Sequence, residues 1–373
     1  MKTPRLAALL LALAVIALSG IRTAHSQDSE PVLPVVSGTV YAMVSDGAGG
    51  WYIGGDFERV GGLKRAHLAH VLGDQTLSLW NPGADGPVMA LALGAGVVHA
   101  GGDFRRIGGQ KRARLATVDA GTGLATELRT DVDGPVMALA LDGRTLYAGG
   151  AFTRIAEVER RNVAAIDVRN GRVELWNPDP DGPVQAIGFD EEKAILGGSF
   201  SQVHGVPRGK LAAVDRETGV PTLWNPDADG TVTSLAIRAH TVYAGGWFGR
   251  IGGQPRAHLA ALDTESGLAN LWDPAPNGPV FAIALRNGVV YAGGCFTEMK
   301  GLPRAHLAAV DARDGSLDLW RPEVNGSVLA LGMNGSSLVA AGQFSRLSGL
   351  SRDRIAAVDP ASGQALLWTP DVR

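Results

Sequence analysis

Cysteine is nearly missing from this sequence, since Cys295 is the only one among 373 residues. A single thiol has no partner in its own chain, so an intramolecular disulfide is excluded. The formal net charge is only −3, which provides no overall basic field for holding a nucleic acid. Folded stability must therefore come from packing, and nucleic acid is not expected among the partners.

Long apolar runs are also scarce. The only one is LAALLLALAVIALSG at 6–20, and it follows two basic residues. With the small residues Ala24 and Ser26 behind it, this run predicts a secretory signal peptide over residues 1–26, cleaved after Ser26. No second run of spanning length follows, so no membrane span is expected. The mature protein is accordingly expected to be secreted or periplasmic.

Glycine, by contrast, is abundant, with 51 residues, about twice the usual share. Many of these glycines belong to a recurring phrase, a glycine pair followed by one free position and a phenylalanine, as in VYAGGWF at 242–248. Successive phenylalanines are 47 residues apart once and 48 apart five times. They are Phe57, Phe104, Phe152, Phe200, Phe248, Phe296 and Phe344. Seven copies of a unit of this length predict a repeat architecture.

Each repeat predicts four antiparallel strands. In the repeat at 230–277, the segments TVTSLAI, TVYAGG, AHLAALD and LANLW are separated by turn residues. No segment shows the 3.6-residue period of a helix. The sequence therefore predicts an all-β seven-bladed β-propeller over 38–373, after a short lead-in segment at 27–37. No spare strand is present for strand exchange, so the first and seventh blades are expected to meet by face packing alone.

Bulky residues recur at fixed places in the repeat and are expected between blades. A tryptophan ends the fourth predicted strand in six repeats, and Leu128 replaces it in the second. The tryptophans are Trp80, Trp176, Trp224, Trp272, Trp320 and Trp368. A glycine opens each first strand, which is expected to lie innermost. These glycines are Gly38, Gly86, Gly134, Gly182, Gly230, Gly278 and Gly326.

The stretch VYAGGWFGRIGGQPRAHLAALDTESGLANLWDP at 242–274 resembles the delta-60 repeat family of bacterial seven-bladed β-propellers. That family repeats Gly-Gly-x-Phe, Gly-Gly-x-x-Arg and Leu-Ala-x-x-Asp, and the resemblance covers residues 38–373. It implies the propeller fold and a secreted or surface protein, and it brings no catalytic motif. The third repeat departs from the pattern with Ala156 and Glu157 in place of a glycine pair.

An arginine follows each phenylalanine by eight residues, in a loop joining the second strand to the third. We expect this ring to be structural, binding loop carbonyls or nearby aspartates; the alternative is an electropositive rim for an anionic ligand. It comprises Arg65, Arg112, Arg160, Arg208, Arg256, Arg304 and Arg352. Two positions later lies a second, mostly basic ring, a candidate ligand-binding set. It comprises His67, Arg114, Asn162, Lys210, His258, His306 and Arg354.

The position before each phenylalanine varies while its surroundings repeat. These residues are Asp56, Asp103, Ala151, Ser199, Trp247, Cys295 and Gln343. Their place near the end of the second strand predicts a ligand pocket on the loop-rich face, since loops on a rigid frame carry function. The alternative is that the position is exposed and unconstrained. The lone thiol of Cys295 is expected to be buried and inert, because activation needs a nearby base or positive charge.

Paired carboxylates occur in three inter-blade loops. They are Asp131 and Asp133, Asp179 and Asp181, and Asp227 and Asp229. Oxygen-rich loops suit calcium, which takes six to eight oxygen ligands. Aspartates beside glycine and proline are also ordinary turn formers. Calcium is therefore a weak metal candidate, and no other cofactor is expected.

No enzyme signature is present, since the histidines form no HExxH pair and no Gly-x-Ser-x-Gly occurs. The first hypothesis is a non-enzymatic binding or scaffold module, monomeric by default, that recognises a polysaccharide or protein partner on its basic, loop-rich face. The alternative is a hydrolase or lyase acting on a carbohydrate or lactone at the mouth of the central channel. It would use Asp56 and Asp103 with His67, His258 or His306. An enzyme requires these groups to converge on one substrate position.

Export should remove the leader at one bond. Expressed in a secreting bacterial host, the protein is expected to begin at Gln27, because signal peptidase reads the small residues at Ala24 and Ser26. Intact-mass spectrometry of the exported protein measures this directly. An Ala24→Arg variant is the control and should retain residues 1–26. Recovery of uncleaved wild-type protein outside the cytoplasm would contradict the prediction.

Overall fold

The computed structural model describes residues 35–366, all within the compact unit Pro31–Arg373. The predicted signal peptide, most of the lead-in segment and Trp368 lie outside the described residues. In the described part every regular element is a β-strand. Each repeat forms one antiparallel sheet, in which the second strand lies between the first and the third.

The first strands are β1 (Val36–Ser45), β5 (Val88–Gly94), β10 (Val136–Asp142), β15 (Val184–Phe189), β20 (Val232–Arg238), β25 (Val280–Arg286) and β30 (Val328–Asn334). The second strands are β2 (Trp51–Val60), β6 (Val97–Gly102), β11 (Thr145–Gly150), β16 (Lys193–Gly198), β21 (Thr241–Gly246), β26 (Val289–Gly294) and β31 (Ser337–Gly342). The third strands are β4 (Leu68–Val71), β9 (Leu115–Asp119), β14 (Val163–Asp167), β19 (Leu211–Asp215), β24 (Leu259–Asp263), β29 (Leu307–Asp311) and β34 (Ile355–Val358).

A short hairpin interrupts each loop between the second and third strands. In the first repeat β3 (Leu63–Lys64) pairs with the extended end of β2. The other hairpins are β7 (Arg106–Ile107) with β8 (Gln110–Lys111), β12 (Arg154–Ile155) with β13 (Val158–Glu159), β17 (Gln202–Val203) with β18 (Val206–Pro207), β22 (Arg250–Ile251) with β23 (Gln254–Pro255), β27 (Glu298–Met299) with β28 (Leu302–Pro303), and β32 (Arg346–Leu347) with β33 (Leu350–Ser351).

The segment predicted as a fourth strand is only loosely attached. It joins the third strand through one bridge per repeat, as between Leu262 and Ala269. After the bridge the chain bends outward, so the ladder does not continue. The regular sheets therefore have three strands where four were predicted.

The repeated glycines are required because other backbone and side-chain atoms lie too close to leave room for a Cβ. A Cβ on Gly134 would lie 2.0 Å from the carbonyl oxygen of Ala151. A Cβ on Gly149 would lie 2.8 Å from Cγ1 of Val184 in the next repeat. The first strand thus runs against the end of its own second strand, and neighbouring sheets press together face to face.

The first strands form the inner ring, as predicted. Each packs against the first strands of both neighbouring repeats, and β1 contacts both β5 and β30. Trp51 and Val36 share one hydrophobic cluster with Val339 and Ala341 of the last repeat. Within residues 35–366 every sheet takes its strands from a single repeat. The first and last sheets therefore meet by side-chain packing.

Neighbouring repeats are joined by an aromatic pair that we call the Trp–Tyr clasp. The indole Nε1 of Trp272 donates to the carbonyl of Asp311 in the next repeat at 2.7 Å. The ring of Tyr243 packs edge-on against Trp272 at 5.3 Å, and its hydroxyl donates to the carbonyl of Ala312 at 3.2 Å. The clasp recurs in full as Tyr52 with Trp80 and as Tyr291 with Trp320. The five clasp-position tryptophans within residues 35–366 thus lie between repeats, as the sequence predicts.

The second repeat has a different pair, His99 and Leu128. His99 is only 1% exposed, and its Nδ1 lies 2.9 Å from the hydroxyl oxygen of Thr117. Burial lowers the pKa of His99 to about 4. The imidazole is therefore neutral in the folded protein at physiological pH.

Removing one clasp should be costly. Trp272 is 2% exposed, whereas the adjacent Leu271 is 97% exposed. Trp272→Ala is expected to lower the free energy of unfolding by about 3–5 kcal/mol, since a buried indole and its hydrogen bond are lost. Leu271→Ala, the control, should stay within about 0.5 kcal/mol of wild type. Urea unfolding followed by tryptophan fluorescence compares them, and equal midpoints would contradict the clasp.

Burial of neutral His99 should make stability depend on pH. The unfolded histidine, with its ordinary pKa of 6.5, binds a proton that the folded one, at about 4, does not. The free energy of unfolding should therefore fall as pH drops from 6.5 to 4, by about 3 kcal/mol from this group. His99→Gln should flatten that decline, and His240→Gln, an exposed control, should not. Parallel urea titrations at pH 7, 5.5 and 4 measure it; identical slopes in all three proteins would refute this origin.

Candidate functional site

Two sets of loops are tied together at one end of the sheets, which we call the loop face. Each inter-repeat loop carries an Asp or Asn whose side chain accepts two backbone N–H groups from the loop after the next second strand. For Asp133 these come from Thr153 at 2.8 Å and Arg154 at 2.9 Å. The same contact is made by Asp85, Asp181, Asp229, Asn277 and Asn325. The loop face is therefore a rigid platform.

These hydrogen bonds engage three of the six aspartates that were calcium candidates, namely Asp133, Asp181 and Asp229. Burial raises the pKa of Asp133, hydrogen bonds from Thr153 and Arg154 lower it, and the net shift is downward. Asp131 accepts the backbone N–H of Ala113 at 2.7 Å, and Asp179 lies 3.8 Å from the guanidinium of Arg161. Within residues 35–366, His, Cys, Asp and Glu form no group of three or more able to hold a metal.

The arginine ring points at main-chain carbonyls. In Arg256, Nη1 donates to Pro255 at 2.7 Å and Nη2 to Asn270 at 2.6 Å. Five other arginines repeat both bonds: Arg65, Arg112, Arg160, Arg208 and Arg304. Arg352 makes the first bond, to Ser351. Six of the seven guanidinium groups thus link a hairpin to the fourth segment.

The residues of the second ring share one backbone conformation, but their side chains make different contacts. All seven residues have left-handed φ angles, from 61° to 69°. The histidines place Nδ1 3.2–3.3 Å from second-strand carbonyls, as His258 does at Gly246. Arg114 donates to Asp103 at 2.9 Å, and Asn162 donates to a carbonyl. Lys210 makes no side-chain bond within the described range. Most of these groups are thus already engaged with the frame.

The variable position points outward. The backbone N–H of Trp247 donates to Thr231 at 2.8 Å, and the next residue, Phe248, is fully buried. Alternation along an extended chain therefore turns the variable side chain to solvent. Asp56, Asp103, Trp247, Cys295 and Gln343 are exposed, and Ala151 and Ser199 are half-buried. The expectation of a buried thiol at Cys295 is wrong, because this alternation exposes it.

A further ring lies next to the variable residues. Each first strand has a register shift after its opening valine, which indicates a β-bulge. The extra residues, all half-buried, are Tyr41, Met89, Met137, Gln185, Thr233, Phe281 and Leu329. The signal for a site was available, because this position changes chemistry from repeat to repeat.

Two contacts at these rings cross a repeat boundary. The rings of Trp247 and Phe281 lie 5.9 Å apart. Gln343 Nε2 lies 3.3 Å from the hydroxyl of Thr39. Burial and the charge of Asp56 raise the pKa of Tyr41. We call the surface formed by the variable residues and the bulge residues the mouth.

Solved structures settle the fold. The WD40 β-propeller domain of Doa1 matches with a TM-score of 0.58 at 11% identity, over 88% of this chain and 95% of that one. The fold is a β-propeller. The designed protein Ika8 matches at 0.51 and 18% identity, over 88% of this chain and 98% of that one. The extracellular domain of BT4673 from B. thetaiotaomicron matches at 0.58 and 12% identity, over 87% of this chain and 39% of that one.

At the level of sequence, the propeller has one family match. Residues 207–370 match the model named PQQ_2, outer membrane protein assembly factor BamB. Comparison with curated proteins gives no significant match. Within residues 35–366 the propeller contains no apolar helix long enough to cross a membrane.

Two cavities lie at the opposite end of the propeller from the mouth. One, of about 800 Å³, is lined by Gly47, Arg286 and Tyr291 and borders Leu366, the last described residue. The other, of about 410 Å³, lies between the second and third repeats and includes His99 and Leu128. Neither holds any residue of the predicted rings.

Proposed function

We propose that this protein is a non-enzymatic binding or scaffold propeller of the periplasm or cell exterior, which recognises a protein partner at its mouth. The observation that carries the proposal is Trp247, which is 57% exposed on a position whose backbone is hydrogen-bonded. A large aromatic side chain held on a rigid frame is the residue type that contributes most in protein interfaces.

The architecture in this proposal is a seven-bladed propeller of delta-60 type. Seven sheets, each with a bridged fourth segment, support the blade count and the four-part blade. The glycine-pair and arginine positions of the resemblance occupy the hairpin loops of the frame. Such a frame places seven independently variable residues around one opening.

The location is supported by three observations. The leader at 1–26 has the pattern of a secretory signal. The matching family model is named for an outer membrane protein assembly factor. One neighbour in structure is an extracellular domain. A periplasmic protein with an exposed mouth would meet other proteins, and the family name supports a partner of that class.

The charges at the mouth favour a protein over an anionic polysaccharide. Asp56 and Asp103 are exposed there, and Arg114 is bonded to Asp103. Among the basic residues of the second ring, Lys210 alone has no such engagement in the described part. An apolar centre at Trp247 and Phe281 with mixed charges around it resembles a protein interface core with its polar rim.

Binding is favoured over hydrolysis by the contacts of the acids. His67 Nδ1 lies 3.6 Å from Asp56 Oδ1 and 3.2 Å from the carbonyl of Gly55. The imidazole therefore engages the frame. Asp103 is paired with Arg114, which cannot act as a base at neutral pH. Neither acid has the free base partner that general acid–base chemistry needs.

Removing the aromatic anchor should abolish partner capture. Immobilised protein covering 27–373 is compared with Trp247→Ala and with the control Leu223→Ala, which removes a fully exposed leucine far from the mouth. Quantitative mass spectrometry of the source organism's periplasmic and secreted proteins should find a species enriched on wild type and control. Its enrichment should fall at least about tenfold on Trp247→Ala, since a hot-spot truncation costs 2 kcal/mol or more.

Three results would overturn the proposal. A partner that is retained by Trp247→Ala binds elsewhere on the propeller. Turnover of a carbohydrate or lactone that is lost in Asp56→Asn would restore the enzyme alternative. Thermal stabilisation by an acidic polysaccharide, lost in Lys210→Ala, would replace the protein partner with a glycan.

A further inference from the structure

The junction between the second and third repeats differs from the other described junctions. Elsewhere the clasp tryptophan of one repeat packs against the next, but here its place is held by Leu128. The tyrosine position is held by His99. A cavity of about 410 Å³ lies at this junction. Its lining includes His99, Thr117, Thr126, Leu128, Leu141 and Val168.

The substitution leaves two carbonyl groups without their usual donors. In the clasp, the indole donates to the carbonyl of the residue 39 positions later in the chain. The tyrosine hydroxyl donates to the carbonyl 69 positions later for Tyr243 and Tyr291, and 68 positions later for Tyr52. At this junction the corresponding carbonyls belong to Asp167 and Val168. The carbonyl of Asp167 accepts the N–H of Gly171 at 2.8 Å and, at 3.4 Å, that of Asn170. Its counterpart Asp119 accepts the equivalent bond from Gly123 together with the indole of Trp80. Among the described residues, no side chain donates to the carbonyl of Asp167.

Another junction shows how a missing clasp residue is replaced within the chain. In the fourth repeat the tyrosine position is Ile195, and Trp224 is retained. There the ammonium of Lys193 donates to the carbonyl of Thr264 at 3.2 Å, the place that a tyrosine hydroxyl would reach. At each of the other junctions between consecutive repeats within residues 35–366, a side chain donates to at least one of the two carbonyls. At the junction between the second and third repeats, no side chain of the described residues donates to either carbonyl.

His99 adds a buried polar group to the cavity. Its Nδ1 is engaged with Thr117 at 2.9 Å, and Nε2 has no hydrogen-bond partner among the described residues. Arg169, at the edge, donates to the carboxylate of Asp167, so the charges facing the cavity are paired with each other. The cavity lining thus includes Val168, one imidazole side chain and apolar walls, and the carbonyl of Asp167 belongs to the residue next to Val168.

We propose that this cavity binds a small, uncharged, planar heteroaromatic molecule. Its N–H or O–H groups would donate to the carbonyls of Asp167 and Val168, and its ring would occupy the space that an indole fills at other junctions. The volume falls in the range of ligand pockets, roughly 300–1,000 Å³. An apolar cavity of about 150 Å³ already holds benzene. Because the site is at the opposite end from the mouth, it is independent of the proposed partner surface.

The test uses indole and 1-methylindole, which have similar shape and differ in the N–H donor. Ligand-observed NMR and calorimetry on the protein covering 27–373 should show saturable binding of indole. Binding of 1-methylindole should be at least about tenfold weaker, because the hydrogen bond to a carbonyl is lost. This comparison needs no variant. Absence of indole binding, or equal affinity for the two probes, would overturn the proposal.

A variant whose side chain fills the cavity provides a second test of the proposal. Leu128→Trp restores the residue that the clasp uses in other repeats, so it should fold and should weaken indole binding at least about tenfold. Leu319→Trp adds the same side chain at a fully exposed position and should bind indole as wild type does. Equal binding by wild type and Leu128→Trp would place the indole elsewhere and refute the site.

Discussion

The structure depends on the hydrogen bond that each clasp tryptophan donates to the next repeat. A single repeat cannot bury its apolar faces alone, and the faces of each sheet are covered only when neighbouring sheets pack against them. The indole buries a large apolar area and supplies a directed N–H, so it fixes both the distance and the register between repeats. Because every contact of this kind joins one repeat to the next, stability accumulates along the chain and closes where β1 meets β30.

That frame explains why the candidate binding positions are where they are. Inter-sheet contact requires a glycine pair at the end of the second strand and a buried phenylalanine two residues later. The residue between them, such as Trp247, must then face solvent on a backbone that is held on both sides. The side chain can therefore differ at this position, as it does between Asp56 and Cys295, without disturbing the packing.

Much of the fold could be predicted from periodicity, because each repeat must satisfy the same packing on both sides. The strands, the inner ring and the inter-repeat place of Trp272 follow from that requirement. The fourth strand was predicted from LANLW because apolar alternation does not report hydrogen-bond pairing, and only Ala269 makes the bridge. The position of Phe281 was also missed as a site, although it changes chemistry from repeat to repeat, because the register shift that creates the bulge leaves no local sequence pattern. The partners of Arg256 lie up to 14 residues away, so its role required the folded chain.

Symmetry separates frame from function in this propeller. Arg65 and its six counterparts are identical, and the structure shows their guanidinium groups bonded to backbone in every described repeat. A residue that every repeat needs for the same bond cannot also distinguish one ligand from another. Candidate sites therefore lie where a repeat departs from its neighbours. Trp247 is an exposed aromatic side chain at a position that is small or polar in the other repeats. His99 and Leu128 have removed a clasp and opened a polar cavity, and the ring tolerates that loss because the remaining junctions keep theirs.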